Sequence, residues 1–395
     1  MSNYDFTKPK STKARIVAAV QHFSTISVKD ISNYCDLSIP IVTRYLEPMI
    51  QDGLLIENTS SVTTTGRKPK LLSLDADYCY IIGIELGLLD MAKIGVFKFD
   101  GSLVINESVL YASDWNAEEI IRRIMSTIET ALKSNSIELD RIRHIVIGNP
   151  GIVNPDTGSM VLPSEFSPWS KLSLKDLFQQ KFGIPVEVLN DVNLAAIGEK
   201  EFGVGRGYSN FIFVRQSVGL KSGIILKNRL YQGESYAAGE IGQCTLNVLD
   251  GGNIVYRKAE SLLRMSAICS QIADMLNDNP NDIFWSITGG NPQNVTVDNI
   301  IKALGTPSYI NDEIVKYGEM LGTVLVNVVA ALDIALIILG GDVTKFNNYY
   351  IKPIRDVLSE HLIYPPTVLT SSLGNDVALY GAFAVGQENI LANIP

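Results

Sequence analysis

The spacing of apolar residues divides the chain into a short helical opening and a longer α/β stretch. Over residues 11–23, Ile16, Ala19, Val20 and Phe23 recur at helical intervals behind Ser11 and Thr12, which predicts a first helix. Residues 27–34 put Val28 and Ile31 on one side of a second short helix, and Cys35, Asp36 and Leu37 make a tight connection. A third helix starts at Ser38 as its cap, carries Pro40 in its first turn, and runs through Val42, Leu46 and Ile50 towards Gly53. Two β-prone arms follow, residues 54–57 and 70–74, joined by a polar loop that carries Arg67 and Lys68.

From Tyr80 onward the pattern is that of strands alternating with helices. Residues 80–85, 93–99 and 103–110 predict three successive strands of a sheet with antiparallel pairs, followed by a helix over 117–134. A buried strand at 144–148 leads into a Gly/Pro-rich loop at 149–158. A strand ending at Val186, Val188 and Leu189 runs into a helix over 192–202. The unit then repeats in outline. Strands are expected at 210–215, 222–226 and near Leu230, helices at 258–278 and 309–331, a strand at 334–339, and a closing helix at 377–387. Two related α/β lobes with a cleft between them follow from this repetition.

Composition adds bounds. A chain of 395 residues with 46% hydrophobic content is long enough for two or three domains with a sizeable core. Cys35, Cys79, Cys244 and Cys269 are scattered without a CxxC pair, which excludes a disulfide framework and fits a reducing, cytoplasmic compartment. The first ten residues lack the apolar core of a secretory signal. The apolar run 321–339 is interrupted by Asn327 and Asp333, so it reads as a helix and a buried strand and not as a membrane span. Charge is uneven: residues 1–70 hold nine Lys and Arg against six Asp and Glu, a balance of +3, which leaves −12 for the rest of a chain of net charge −9.

The basic opening matters because of what it contains. Three helices and a basic hairpin, in that order, make a winged helix-turn-helix pattern. Ser38, Ile41, Thr43 and Arg44 lie where a recognition helix meets base edges, while Arg67 and Lys68, with Lys70 at the foot of the wing, suit phosphate or the minor groove. A small helical interaction module with a solvated basic loop is the other reading; the order of elements favours DNA. At the junction of residues 189–192, Asn190 and Asp191 have two readings as well. Asp191 either caps the following helix or, at the carboxyl end of a strand, joins Asn190 in holding ligand hydroxyls and accepts a proton.

Several segments together resemble the ROK family, which unites repressors and sugar kinases: TTGRKPKLLSL from Thr64, IIGIELG from Ile81, NPGIV from Asn149, LNDVNLAAIGE from Leu189, GEIGQ from Gly239, LGGDV from Leu339 and LYGAFAVG from Leu379. The resemblance covers nearly the whole chain. It implies an N-terminal winged helix-turn-helix over 1–75 followed by a two-lobed actin/hexokinase-like (ribonuclease H-like) ATPase fold. The first lobe is expected at 76–200 plus 376–395, and the second at 201–375.

Residue by residue, the resemblance is selective. Where family kinases carry a DxGGT-like turn, this chain has Glu85 for the Asp, and Leu88 and Leu89 at positions for small or hydroxylated residues. Where a GTGIGAG-like phosphate loop is expected, the chain has SVGLKSG. That segment keeps Gly219 and Gly223 but puts Ser217 and Lys221 at glycine positions and Val218 at the threonine. The zinc motif has Gln243 at its His and Gly251, Asn253 and Lys258 at its three Cys, a set that cannot hold zinc. Cys244 is one isolated sulfur. The residues that resemble the family's sugar ligands persist: Asn190, Asp191, Glu240 and Glu260, with Gln243 in place of a His and Asn149 adding a polar contact.

The expectation is therefore a sugar-responsive transcriptional regulator, a repressor that binds operator DNA and takes a monosaccharide or sugar phosphate in the interlobe cleft. No cofactor, metal or membrane is expected, and a homodimer is, because paired half-sites give affinity that one small domain rarely reaches. The alternatives are an ATP-dependent sugar kinase with Asp191 as its base, and a scaffold that answers to a protein partner.

Overall fold

A computed structural model describes residues 11–59, 70–87, 90–112, 115–163, 169–250 and 253–394. The chain divides into two units, one running to Leu194 and resuming at Ala378, the other spanning Ala195–Val377.

The first unit opens with α1 (Thr12–Phe23), capped by the Ser11 hydroxyl accepting from the Ala14 amide at 3.1 Å. After β1 (Ile26–Ser27) comes α2 (Val28–Cys35), with the Ser27 side chain accepting from the Asp30 amide. The helix-turn-helix bend is made by Asp36, held in the left-handed region at φ 49°, and by the Leu37 amide reaching back to the Ser32 carbonyl at 3.0 Å. Ser38 begins α3 (Ile39–Gln51) as expected, though without a side-chain cap bond. Inward residues Ile16, Val20, Ile31, Val42, Leu46 and Met49 are all at most 3% exposed, so each removes essentially its whole apolar surface from water, about 1.5–3 kcal/mol apiece. The arms are β2 (Leu55–Thr59) and β3 (Lys70–Leu74), and β1 joins them in a three-stranded sheet of order β1-β3-β2. Lys13 donates its ammonium to the Ile394 carbonyl, so α1 is anchored to the last residues of the same unit.

The α/β part of this unit holds β4 (Tyr80–Glu85), β5 (Met91–Lys98), β6 (Leu103–Leu110), α4 (Ala117–Ser134), β7 (Ile142–Asn149), β8 (Gly151–Val153), β9 (Met160–Pro163), α5 (Leu174–Phe182) and β10 (Val186–Asn190), and α6 (Asp191–Glu201) begins in it and continues into the second unit. β4, β5 and β6 form an antiparallel meander, and β7 and β10 add in parallel on the other side of β4. α4 presents Ile120, Ile121, Ile124, Ile128 and Leu132 to the sheet. His144 on β7 is buried; burial, with the Lys175 charge, pushes its pKa down to about 4.

The second unit repeats this plan. β11 (Phe211–Gln216), β12 (Leu220–Leu226) and β13 (Arg229–Tyr231) form the meander. β14 (Thr245–Asp250) and β15 (Asn253–Lys258) make a separate hairpin, followed by α7 (Ala259–Leu263), α8 (Met265–Leu276), α9 (Ile283–Thr288), α10 (Val297–Ala303) and α11 (Ile310–Leu332). Then β16 (Leu336–Gly340), α12 (Asn348–His361) and β17 (Thr367–Thr370) complete a sheet in which β16 and β17 run parallel to β11. In each unit the strands, numbered by their order of appearance, lie 3-2-1-4-5 across the sheet. α13 (Val377–Asn393) closes the chain in the first unit. α11 is long and apolar enough to span a membrane by length and composition, but Ile310, Ile314, Leu321, Leu325 and Val329 pack into the second unit's core.

Three expectations change. The predicted single helix at 258–278 is two helices, because Arg264 is extended (φ −62°, ψ 145°) and the Met265 amide donates to the Ser217 carbonyl at 2.9 Å. The Gly/Pro-rich loop contains β8, paired with β9. The segment read as a degenerate zinc motif is a hairpin.

Candidate functional site

In the first unit, parallel pairing sets the site. β4, β7 and β10 run in one direction with Glu85 opposite Gly148 and Asn149 opposite Asn190, so their carboxyl ends bring Glu85, Asn149, Asn190 and Asp191 to one rim of the sheet. This is where open α/β folds hold ligands. Glu85, Asn149 and Asp191 are 1%, 1% and 3% exposed, so burial keeps bulk water from these polar groups. The Asn149 side-chain oxygen accepts from the Trp169 indole at 2.8 Å, which fixes which end of that amide faces away.

Asn190 settles the capping question. Its side-chain oxygen accepts from the amides of Val192 and Asn193, both at 3.0 Å, and its amide nitrogen donates to the Gly151 carbonyl at 2.7 Å. The cap of α6 is therefore Asn190, and Asp191 is the helix's first residue. Asn190 keeps one N–H for a ligand; most of its hydrogen-bonding capacity is structural. Gly87 lies against the Asp191 carboxylate so closely that a Cβ there would sit 1.8 Å from Oδ2.

In the second unit the site is built on the start of β12, the turn over 239–243 and the first turn of α7. Gly242 is required because a Cβ would meet the Leu220 carbonyl at 2.5 Å and Glu260 Oε2 at 2.7 Å. Glu260 is thus backed by main chain. Lys221 Nζ lies 3.6 Å from Glu240 Oε1, both side chains about one-fifth exposed. Gln243, at the exposed end of the turn, gives its amide to the Glu240 carbonyl at 3.0 Å. The structure brings together Lys221, Glu240 and Glu260; from the sequence, Lys221 reads as a departure from glycine whose charge could meet a phosphate.

The phosphate loop is turned on itself. The Ser217 amide donates to the Gly219 carbonyl at 3.0 Å, the Ser217 carbonyl accepts from Met265, and the Ser217 hydroxyl donates to Asp342, whose other oxygen takes Lys345 at 2.9 Å. Gln216 anchors the loop, donating to the Leu263 carbonyl at 2.5 Å and accepting from the Tyr350 hydroxyl at 2.7 Å. An amide spent internally and a carboxylate beside it do not fit a triphosphate. Leu88 and Leu89 of the first phosphate turn lie outside the described residues.

The zinc positions do not converge either. Asn253 and Lys258 occupy opposite ends of β15, about 16 Å apart on an extended strand. Gly251 lies outside the described residues. The Cys244 thiol is pushed up by burial, which disfavours the thiolate a metal needs. The residues present do not fit a structural zinc. Glu199 on α6 is raised by burial, against the Ser371 hydroxyl and the Val204 amide that favour its charged form.

On the DNA side, Ser38, Ile41, Thr43 and Arg44 all lie on the exposed side of α3. The Arg44 guanidinium leans over the Tyr45 ring, 5.1 Å from its centroid, and Thr43 bonds back to the Ile39 carbonyl at 3.0 Å. Lys70 pairs with Glu57 at 2.7 Å across the wing, while Arg67 and Lys68 lie outside the described residues.

Three helices with a wing sheet, followed by a duplicated 3-2-1-4-5 α/β sheet, define a winged helix-turn-helix protein with a sugar-kinase-like body. The chain belongs to the ROK family, whose match covers residues 81–389. It is 27% identical over 401 residues to a protein described as "Xylose repressor" from Caldicellulosiruptor bescii, covering 99% of each chain. Its fold is that of a ROK family transcriptional regulator described as a homolog of the E. coli MLC protein, with a TM-score of 0.77, 20% identity, and coverage of 97% of this chain and 98% of that one. A ROK family glucokinase from Streptomyces griseus, solved with glucose and AMPPNP, matches at a TM-score of 0.65 and 26% identity over 77% of this chain and 98% of its own.

Proposed function

We propose that the protein is a sugar-responsive transcriptional repressor without kinase activity. The observation that carries this reading is the contrast within the second unit. Carboxylates suited to hydroxyls are held in place, while the phosphate loop spends its amide and hydroxyl on Gly219 and Asp342. The full-length likeness to a xylose repressor supports the same reading and makes D-xylose the first effector to test.

In this proposal the hydroxyls of a monosaccharide or its phosphate are taken by Asn149, Asn190, Asp191, Glu240, Gln243 and Glu260, as the family resemblance implies. Operator DNA is bound by Ser38, Ile41, Thr43 and Arg44 on α3 and by Arg67, Lys68 and Lys70 on the wing. A homodimer presents two recognition helices to two half-sites in the cytoplasm. Sugar binding favours an arrangement that no longer matches them, and the shift is limited to the sugar's differential affinity for the two states.

The test has two parts. A thermal-shift screen of sugars and sugar phosphates identifies the effector, and DNA selected by the protein from a random pool is then titrated with and without it. Release of DNA by a bound sugar is the expected result. ATP-dependent phosphorylation of any sugar in the screen would replace this reading with the kinase, and no shift of the melting temperature by any sugar or sugar phosphate would favour the scaffold.

A further inference from the structure

Lys221 and Glu240 form a loose ion pair. At 3.6 Å their nitrogen and oxygen are close enough to attract but too far apart for a hydrogen bond, and both are only about one-fifth exposed. One oxygen atom placed about 2.8 Å from each would touch both, with an angle of about 80° between the two contacts. A hydroxyl suits that position because it accepts from the ammonium and donates to the carboxylate at once. Glu260 faces the same space: a point one bond out from Gly219 lies 3.3 Å from Glu260 Oε1 and 4.0 Å from Lys221 Cε.

Charge narrows the ligand further. Arg215 lies directly opposite Lys221 on the neighbouring strand and so on the same face of the sheet. Counted together, Arg215 and Lys221 carry as much positive charge as Glu240 and Glu260 carry negative. Nearby, Asp342 is balanced by Lys345. A dianionic phosphate seated beside Glu240 and Glu260 would bring its charge against two carboxylates and displace water from both.

We infer that Lys221 is a specificity-determining effector ligand, which with Glu240 brackets one hydroxyl of an uncharged sugar and makes the site reject the phosphorylated form. This deepens the proposed function and rests on it. The lysine at a glycine position thus replaces nucleotide chemistry with recognition of a neutral polyol.

The experiment is calorimetric titration of the full-length protein with the common aldopentoses and aldohexoses and with their terminal phosphates, repeated on Lys221→Gln and Lys221→Arg. The wild type is expected to bind one or more free sugars, with the matching phosphate at least tenfold weaker. Lys221→Gln should weaken the free sugar at least tenfold, and Lys221→Arg should recover part of the loss. Equal sugar affinity in wild type and Lys221→Gln would reduce the pair to a structural contact and overturn this inference while leaving the repressor reading intact. Tighter binding of a phosphate, abolished in Lys221→Gln, would make the lysine an anion site and overturn it as well. Binding of no sugar and no phosphate by the wild type would remove the functional reading and this inference with it.

Discussion

Gly87 offers the sharpest perturbation of the first unit's site. Substituting alanine adds one methyl, and the atom it meets is Asp191 Oδ2, 1.8 Å from the new Cβ. Non-bonded contacts at a Cβ need about 3.0 Å or more, so the carboxylate must retreat by about 1.2 Å or the loop must move by as much. Either shift stretches a hydrogen bond of ordinary length beyond its useful range. A hydrogen bond to a charged group contributes about 1.5–3 kcal/mol, so Gly87→Ala should weaken the effector roughly 10- to 150-fold. Calorimetry with the effector measures this directly, and operator titration without sugar should give the wild-type affinity. Wild-type effector affinity in Gly87→Ala would refute the reasoning, because the carboxylate would then have moved without consequence.

Three further outcomes are expected. Because burial depresses the pKa of His144 to about 4, its protonation favours the unfolded chain, and stability present above about pH 6.5 is lost as pH falls towards 4. Urea unfolding at pH 8 and pH 5 should show the wild type losing ~2 kcal/mol more than His144→Leu, and an equal loss in both would place the titration elsewhere. Glu199 is the converse case. With its native pKa raised, its contribution is most favourable in acid and declines as pH rises past about 4.5, so Glu199→Gln should melt higher than wild type at pH 7 and match it near pH 3. A lower melting point for the variant at pH 7 would show that the Ser371 and Val204 contacts need the charge. Arg44→Ala should weaken operator binding about 10- to 100-fold while sparing the effector; unchanged operator affinity would remove the exposed side of α3 as the reading surface.

Long periodic stretches were legible in the sequence, and for physical reasons. α4, β4, β6 and β3 have the bounds that their apolar pattern sets: α4 and β6 bury a single face, and β4 is a continuous apolar run buried on both faces. Short elements whose partners are distant in sequence were not. β1 has two residues and exists only by pairing with β3, β8 exists by pairing with β9, and α5 escaped notice. The hairpin of β14 and β15 does carry a sequence signal, Asp250 and Gly251 between two β-prone runs, in the same segment that resembles a degenerate zinc motif. At the site, the residue types were readable but their division of labour was not. Nothing in adjacent Asn190 and Asp191 tells which one caps α6, since that depends on where the Gly151 carbonyl arrives. Likewise the break at Arg264 depends on Ser217, distant in sequence.

The inward turn at Ser217 bears on what kind of signal such a receptor reports. A kinase converts each sugar it meets and draws on the cell's energy supply. A repressor of the kind proposed, with that loop closed on its own backbone, returns every molecule unaltered. Its occupancy then follows the free concentration of the sugar alone, reversibly, in starvation as in plenty.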